Sequence, residues 1–267
     1  MRFFILFSSF FCCTFFAQAQ YIIKDKYNIA CSAIKDQQNT GTCWSFATSS
    51  FLESELMRMH GKENAWAEMY CVYATYQDKA RNYLLRQGKA NFSQGALSHD
   101  VINALAQAGA VPESAFSGRP EGMDIHDHSE LVAALKGLLD GLNKRKRLSP
   151  RWQGAVEAVL MNYLGDMPTT FTYEGKSYTP QSFAQMLQLK PSDYISLTSY
   201  THRPFYQSFV LELPDNYSNG AYQNVPMNEL EAIVDHALEN GFSVAWDGDV
   251  SEIAFNHRNG LALIPMN

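Results

Sequence analysis

At 267 residues and 46% hydrophobic content, the chain can bury one substantial core or two smaller ones, and it is neither disordered nor of low complexity. A net charge of −6 at pH 7 excludes a general electrostatic attraction to nucleic acid. Metal-ligand spacings, phosphate loops and nucleotide fingerprints are absent, so the expectation is chemistry without metal or cofactor.

In chain order, the first segment is "MRFFILFSSFFCCTFFAQA". Arg2 is a minimal charged start, an apolar run extends from Phe3 to Phe16, and Ala17-Gln18-Ala19 fits a small-x-small processing site. This pattern predicts a secretory signal peptide over residues 1–19, export to a periplasmic or extracellular space, and no membrane association after cleavage. The run is short for a bilayer span, and Cys12 and Cys13 lack the small residues that a lipid-attachment site has before it. Removing the segment takes away Arg2 and no acid, so the remainder is more acidic still. Cys31, Cys43 and Cys71 remain; export permits disulfides, an odd count leaves at least one thiol unpaired, and Cys43 is the best candidate to be free.

From Cys43 to His60, Ala47, Phe51, Leu52, Leu56 and Met59 recur at helical spacing, with Glu53, Glu55 and Arg58 opposite, and Gly61 follows as a stop. "AEMYCVYATYQDKARNYLLRQG" predicts a second helix ending at a glycine. "LSHDVINALAQAGAVP" predicts a third, with Leu97, Val101, Leu105 and Ala108 in register and Gly109 and Pro112 beyond it. Helical patterning continues from about His128 to Leu189 through "ELVAALKGLLDGL", "WQGAVEAVLMNYLG" and "TPQSFAQMLQL", the last opening on a Thr-Pro pair. The basic run Lys144, Arg145, Lys146, Arg147 and Arg151 reads as a solvated helix end and turn. Near Tyr194 the texture changes: "YISLTSY", "PFYQSFVLELP" and "GFSVAW" are strand-like. Between the last two lies the helix "MNELEAIVDHALENG", with Leu230, Ile233, Val234, Ala237 and Leu238 on one face and Gly241 as its stop.

The stretch "DQQNTGTCWSFATSS" places Cys43 between a glycine-bearing turn and a helix, with Gln37 six residues upstream. A thiolate is the attacking form of a thiol, and the first turn of a helix presents partial positive charge that favours it. Acyl transfer also needs donors aimed at an oxyanion, and a side-chain amide such as that of Gln37 is the right chemical type. By spacing alone two readings stand: a nucleophile, or a small buried hydrophobe.

"QQNTGTCWSFAT" resembles the active-site segment of papain-like cysteine peptidases, in which a Gln precedes a Gly-x-Cys-Trp. In that resemblance Gln37 matches the oxyanion-hole glutamine, Cys43 the nucleophile and Trp44 the aromatic beside it. Thr40 stands where the papain branch proper has a disulfide cysteine, which points instead to the bleomycin hydrolase and aminopeptidase C branch. "FSQGALSHDVINALAQAGAVPESAF", "SDYISLTSYTHRPFYQSF" and "LPDNYSNGAYQNVPMNELEAIVDHALENGFSVAWDGDVSE" are similar to exported bacterial members of that branch, and the resemblance runs over nearly the whole remaining chain.

The resemblance implies an α+β, papain-like fold, with a helical domain over 20–127 carrying the nucleophile. A helical insertion over 128–193 and the incomplete start of a β-rich domain over 194–267 follow. It implies broad-specificity aminopeptidase activity on peptide substrates and a tendency to closed homo-oligomers. Gly95-Ala96 stands where the family has a Gly-Gly pair against substrate backbone, and a methyl at Ala96 is expected to weaken binding. The family's base histidine and its orienting Asn, in an Asn-Ser-Trp-Gly motif, have no counterpart here. Of the seven histidines, His60 lies about 25 Å along the helix from Cys43. His99 reads as a cleft-rim or surface residue; His126 and His128 as a solvated polar turn; His202 as a feature of the insertion; His236 as exposed; His257 as part of a turn. The alternative reading is therefore an inactive papain-like remnant, or a module that binds peptides or a partner through its cleft.

Overall fold

The structure is a computed structural model describing residues 24–251 and 254–262. The expected signal peptide, with Cys12 and Cys13, lies outside the described residues.

Each helix expected from the sequence is present: α1 (Cys43–His60), α2 (Glu68–Leu85), α3 (Ser98–Ala108), α4 (Ser129–Asn143), α5 (Arg151–Leu164), α6 (Pro180–Leu187) and α7 (Met227–Glu239). Their ends follow local chemistry. Gly61 adopts a left-handed φ of 69° past α1, and its N–H donates to Met57 O. Thr179 and Ser182 cap the start of α6 reciprocally, Ser182 N donating to Thr179 Oγ1 (3.2 Å) and Thr179 N to Ser182 Oγ (2.9 Å). Asp100 reaches back to accept the Leu97 N–H at the start of α3 (2.9 Å).

Helix α2 is the centre of the packing and touches α1, α3, α4 and α5. Leu52 and Leu56 of α1, Val72, Tyr76 and Ala80 of α2, Val101 of α3, Leu131, Leu135 and Leu139 of α4, and Leu160 of α5 are fully buried in one cluster. Burial of this kind contributes about 1.5–3 kcal/mol per large apolar side chain. The basic run after α4 is solvated, as expected.

Helix α1 departs from its expected polarity. Glu53 and Glu55, placed by spacing on the face away from the core, are both buried, while Ala47 and Met59 of the expected apolar face are exposed. The reason is a second covering layer: Ser54 Oγ donates to Ala30 O (2.6 Å), and Glu53 accepts from Ser32 Oγ, from Lys35 Nζ (2.9 Å) and from the Trp66 N–H (2.7 Å). A buried carboxylate is stable only when paired and hydrogen-bonded, and Glu53 is both.

Within the stretch expected to be helical, β1 (Phe171–Tyr173) and β2 (Lys176–Tyr178) form an antiparallel hairpin. Glu174 and Gly175 at its turn have φ of 48° and 75°, the paired positive values of a tight hairpin loop. Phe171, Tyr173 and Tyr178 close around Phe183 of α6 at ring separations of 5.3, 5.0 and 5.7 Å. Downstream, β3 (Leu197–Thr198) and β4 (Ser208–Val210) fall within expected strand segments and flank β5 (Ala221–Asn224), which the sequence pattern did not announce. The pairing is parallel for β3 with β5 and antiparallel for β4 with β5. Asn224 is fully buried; its side chain donates to the carbonyls of Tyr200, Arg203 and Pro204 and accepts the Tyr200 N–H.

The expected strand "GFSVAW" has no strand partner among the described residues, and Phe242, Val244 and Trp246 are exposed. Alternation marks residues suited to a sheet, but a strand forms only against a neighbour. No residue of α7 is buried. The turn expected around His257 lies between β6 (Phe255–Asn256) and β7 (Leu261–Ala262), which pair antiparallel. The fold is thus α+β, mixed helix and sheet.

Candidate active site

Cys43 is the first residue of α1, follows the buried Thr42, and is itself exposed. The turn before it is folded by its own backbone: Thr40 N donates to Gln38 O (2.9 Å), Thr40 Oγ1 donates to Gln37 O (2.9 Å), and Gln38 has a left-handed φ of 58°. Two distant segments fix it in place. On one side, His126 N donates to Gln38 Oε1 (2.6 Å) and Asn39 N to His126 O (3.0 Å). On the other, Gly41 N donates to Gln94 Oε1 (2.6 Å) and Trp44 Nε1 to Gln94 O (3.0 Å). The start of α1 is tied to the start of α2 through Ser45 Oγ donating to Glu68 O (2.9 Å).

Gln94, next to Gly95 in sequence, links that segment to Gly41 and Trp44. Ala96 is buried with the core cluster. Gly95 is tightly placed: a Cβ there would lie 2.3 Å from Asp215 Oδ2. Gln37 Oε1 is sealed from solvent and accepts no hydrogen bond among the described residues. Buried polar atoms are usually paired, and this orphan is an acceptor oxygen; the group that could donate to an oxyanion is the amide nitrogen of the same side chain. Cys31 and Cys71 are also free thiols, the first exposed and the second buried.

Behind the turn lies a cavity of about 180 Å³ lined by Lys35, Gln38, Glu68, Glu113, Arg119 and His126, among others. Burial and the adjacent Glu68 carboxylate push Glu113 up to about 7. His126 and His128 correct the expectation of a solvated turn: they are 7% and 2% exposed, and burial pushes each down to about 4. The segment that carries them packs on the turn before Cys43, through His126 N to Gln38 Oε1 and Asn39 N to His126 O.

No described residue makes a side-chain hydrogen bond to Cys43. The histidines are engaged elsewhere: His60 Nε2 contacts Leu187 O (3.0 Å), His99 Nε2 contacts Ser218 Oγ (3.0 Å), and His128 Nδ1 contacts Tyr76 OH (3.2 Å). His202 and His236 are exposed, on Tyr200 and Asn240 respectively. The His257 side chain lies outside the described residues.

The fold is α+β, with an exposed free cysteine opening a core helix. Comparison with known proteins gives its relatives. No family model matches the chain. Aminopeptidase C of Listeria monocytogenes is 23% identical over 275 residues, covering 85% of this chain and 61% of that protein. Aminopeptidase G of Lactobacillus delbrueckii subsp. lactis is 23% identical over 261 residues, covering 81% of this chain and 59% of that protein. The crystal structure of PepW from Lactobacillus rhamnosis HN001 shares the fold with a TM-score of 0.64 at 16% identity, over 81% of this chain and 58% of that one. The chain is similar to these aminopeptidases and spans about three-fifths of their length.

Proposed function

We propose that this protein is an exported, papain-like cysteine aminopeptidase acting on small peptides, with residues 20–127 as its helical domain, 128–193 as an insertion and 194–267 as part of a β-rich domain. Cys43 is the nucleophile. Its thiolate attacks the scissile carbonyl; the amide nitrogen of the departing peptide takes a proton and leaves, and water then cleaves the thioester to regenerate the thiol. Gln37 donates its amide N–H to the oxyanion formed in each half-reaction. Trp44, Gly95 and Ala96 belong to the wall along which the substrate backbone lies. The general base and the residue that orients it are assigned to no described residue.

The observation that carries this reading is the exposed Cys43 at the start of α1, on a turn pinned from both sides. Kinship to aminopeptidases C and G supports the reaction type. The test is hydrolysis of fluorogenic aminoacyl amides by the purified protein and by Cys43→Ala. Wild-type turnover that disappears in a folded Cys43→Ala variant is expected; residual turnover in that variant would sink the assignment.

A further inference from the structure

Lys79 is 1% exposed, inside the most buried stretch of α2, yet none of its contacts among the described residues is a salt bridge. Its ammonium donates instead to two carbonyls, Ser93 O (2.8 Å) and Gly95 O, and stands 5.5 Å from the Tyr217 ring centroid. An ammonium in an apolar core is costly, and an apolar side chain of similar length would pack there without that cost. The charge therefore has a use in what it holds. Asp215 accepts from Asn91 Nδ2 (3.0 Å) and Ser93 Oγ (3.1 Å) and lies against Gly95. Residues 93–95 are thus held by two opposite charges, Lys79 on the backbone carbonyls and Asp215 on the Ser93 side chain. Gln94, between the gripped carbonyls, is the residue whose backbone and side-chain oxygens receive the Trp44 and Gly41 N–H groups that flank Cys43.

We propose that Lys79 is a positioning residue for the nucleophile and the substrate wall, acting through the Ser93 and Gly95 carbonyls and Gln94. The proposal rests on the peptidase reading for its catalytic consequence, but the positioning itself does not depend on it. Burial pushes the Lys79 ammonium down to about 8, with Asp215 and Asp100 drawing it back up. The other titratable groups on the packed elements are His99 of α3, which pairs with Ser218 and Asp100, and Asp78 and Tyr217, which pair with each other at 3.3 Å. As pH rises through about 8 the ammonium becomes an amine with one donor fewer, and its hold on two carbonyls weakens.

Two readouts test this on wild type, Lys79→Arg and Lys79→Met. The first is the ratio of iodoacetamide labelling at Cys43 to that at exposed Cys31 in the same molecule, read by peptide mass at neutral pH. The second is the pH profile of KM and kcat on an aminoacyl amide. Lys79→Met is expected to change the labelling ratio and to raise KM about tenfold with a smaller effect on kcat. Wild-type KM should rise through about pH 8, and Lys79→Arg, whose guanidinium stays charged, should keep a low KM without that rise. A wild-type labelling ratio and KM in Lys79→Met would overturn the proposal, and so would a wild-type inflection in Lys79→Arg, which still decides the matter if Lys79→Met does not fold. If wild type hydrolyses nothing, the peptidase reading fails while the labelling ratio still tests the positioning role.

Discussion

At Gln37 a buried amide oxygen lacks a partner among the described residues, a condition that costs about 1–3 kcal/mol unless something offsets it. Replacing the side chain separates function from stability. Gln37→Ala should lower turnover by roughly two to three orders of magnitude, the usual effect of losing one oxyanion donor, with an unfolding midpoint no lower than wild type. An unchanged kcat would remove Gln37 from the mechanism. The cysteines divide as sharply. Cys71 is fully buried, receives the Trp66 Nε1–H at 3.2 Å, and is pushed by burial up to about 12, so it is inert in the native state. Alkylation of native protein should reach Cys31 and Cys43 only, with Cys71 modified after unfolding; peptide mass mapping reads the difference. At this scale the backbone setting of Cys43 was legible, because a cysteine after Thr-Gly-Thr and before a helical pattern announces it. The Lys79 grip was not, since a lysine in a helix reads as surface until its neighbours are known.

Helix ends were equally legible, since Gly61 after α1, Gly109 after α3 and Thr179-Pro180 before α6 act within one turn of themselves. The burial of α1 was not. Spacing reveals one apolar face, whereas α1 is covered on two sides, and the second cover is a loop that brings Ser32 and Lys35 to Glu53. Glu53→Ala should accordingly cost about 3–5 kcal/mol, far more than a surface acid, because it strands the Trp66 N–H and removes one of the two carboxylates paired with Lys35. Urea denaturation at neutral pH measures this, and a loss under 1 kcal/mol would mean the network contributes little. The β1–β2 hairpin escaped notice for a related reason. Its signal, aromatics around Glu174-Gly175, is short and lies between strong helical patterns, and its stability comes from Phe183 on a different element.

For the molecule as a whole, stability should depend on pH through groups enclosed behind the turn that precedes Cys43. His126 and His128 are held near 4 when folded and return to about 6.5 when unfolded, so between those values the unfolded chain binds more protons and stability falls as pH falls. Glu113 acts in the opposite direction: raised to about 7 in the folded state, it takes up a proton on acidification before the unfolded chain does, and this favours the fold. Glu68, which lines the same cavity and is also raised by burial, acts with Glu113, so the histidine contribution is read from a substitution and not from the net curve. His128→Asn should shrink the drop in unfolding free energy between pH 7 and pH 4.5 by about 1–2 kcal/mol, whatever its effect on absolute stability, and an unchanged drop would show that His128 is not neutral in the fold. None of this enclosure was written in the local pattern, where "DIHDHSE" looks like a solvated turn. By itself the sequence determined the helices, their stops and a cysteine at the head of one of them, because those signals act over three or four residues. Only the tertiary structure decided which side of α1 is buried, that Gln94 braces Trp44 from fifty positions away, and that His126 braces Gln38 from eighty-eight, because such contacts are made by chain segments whose meeting depends on every element packed between them.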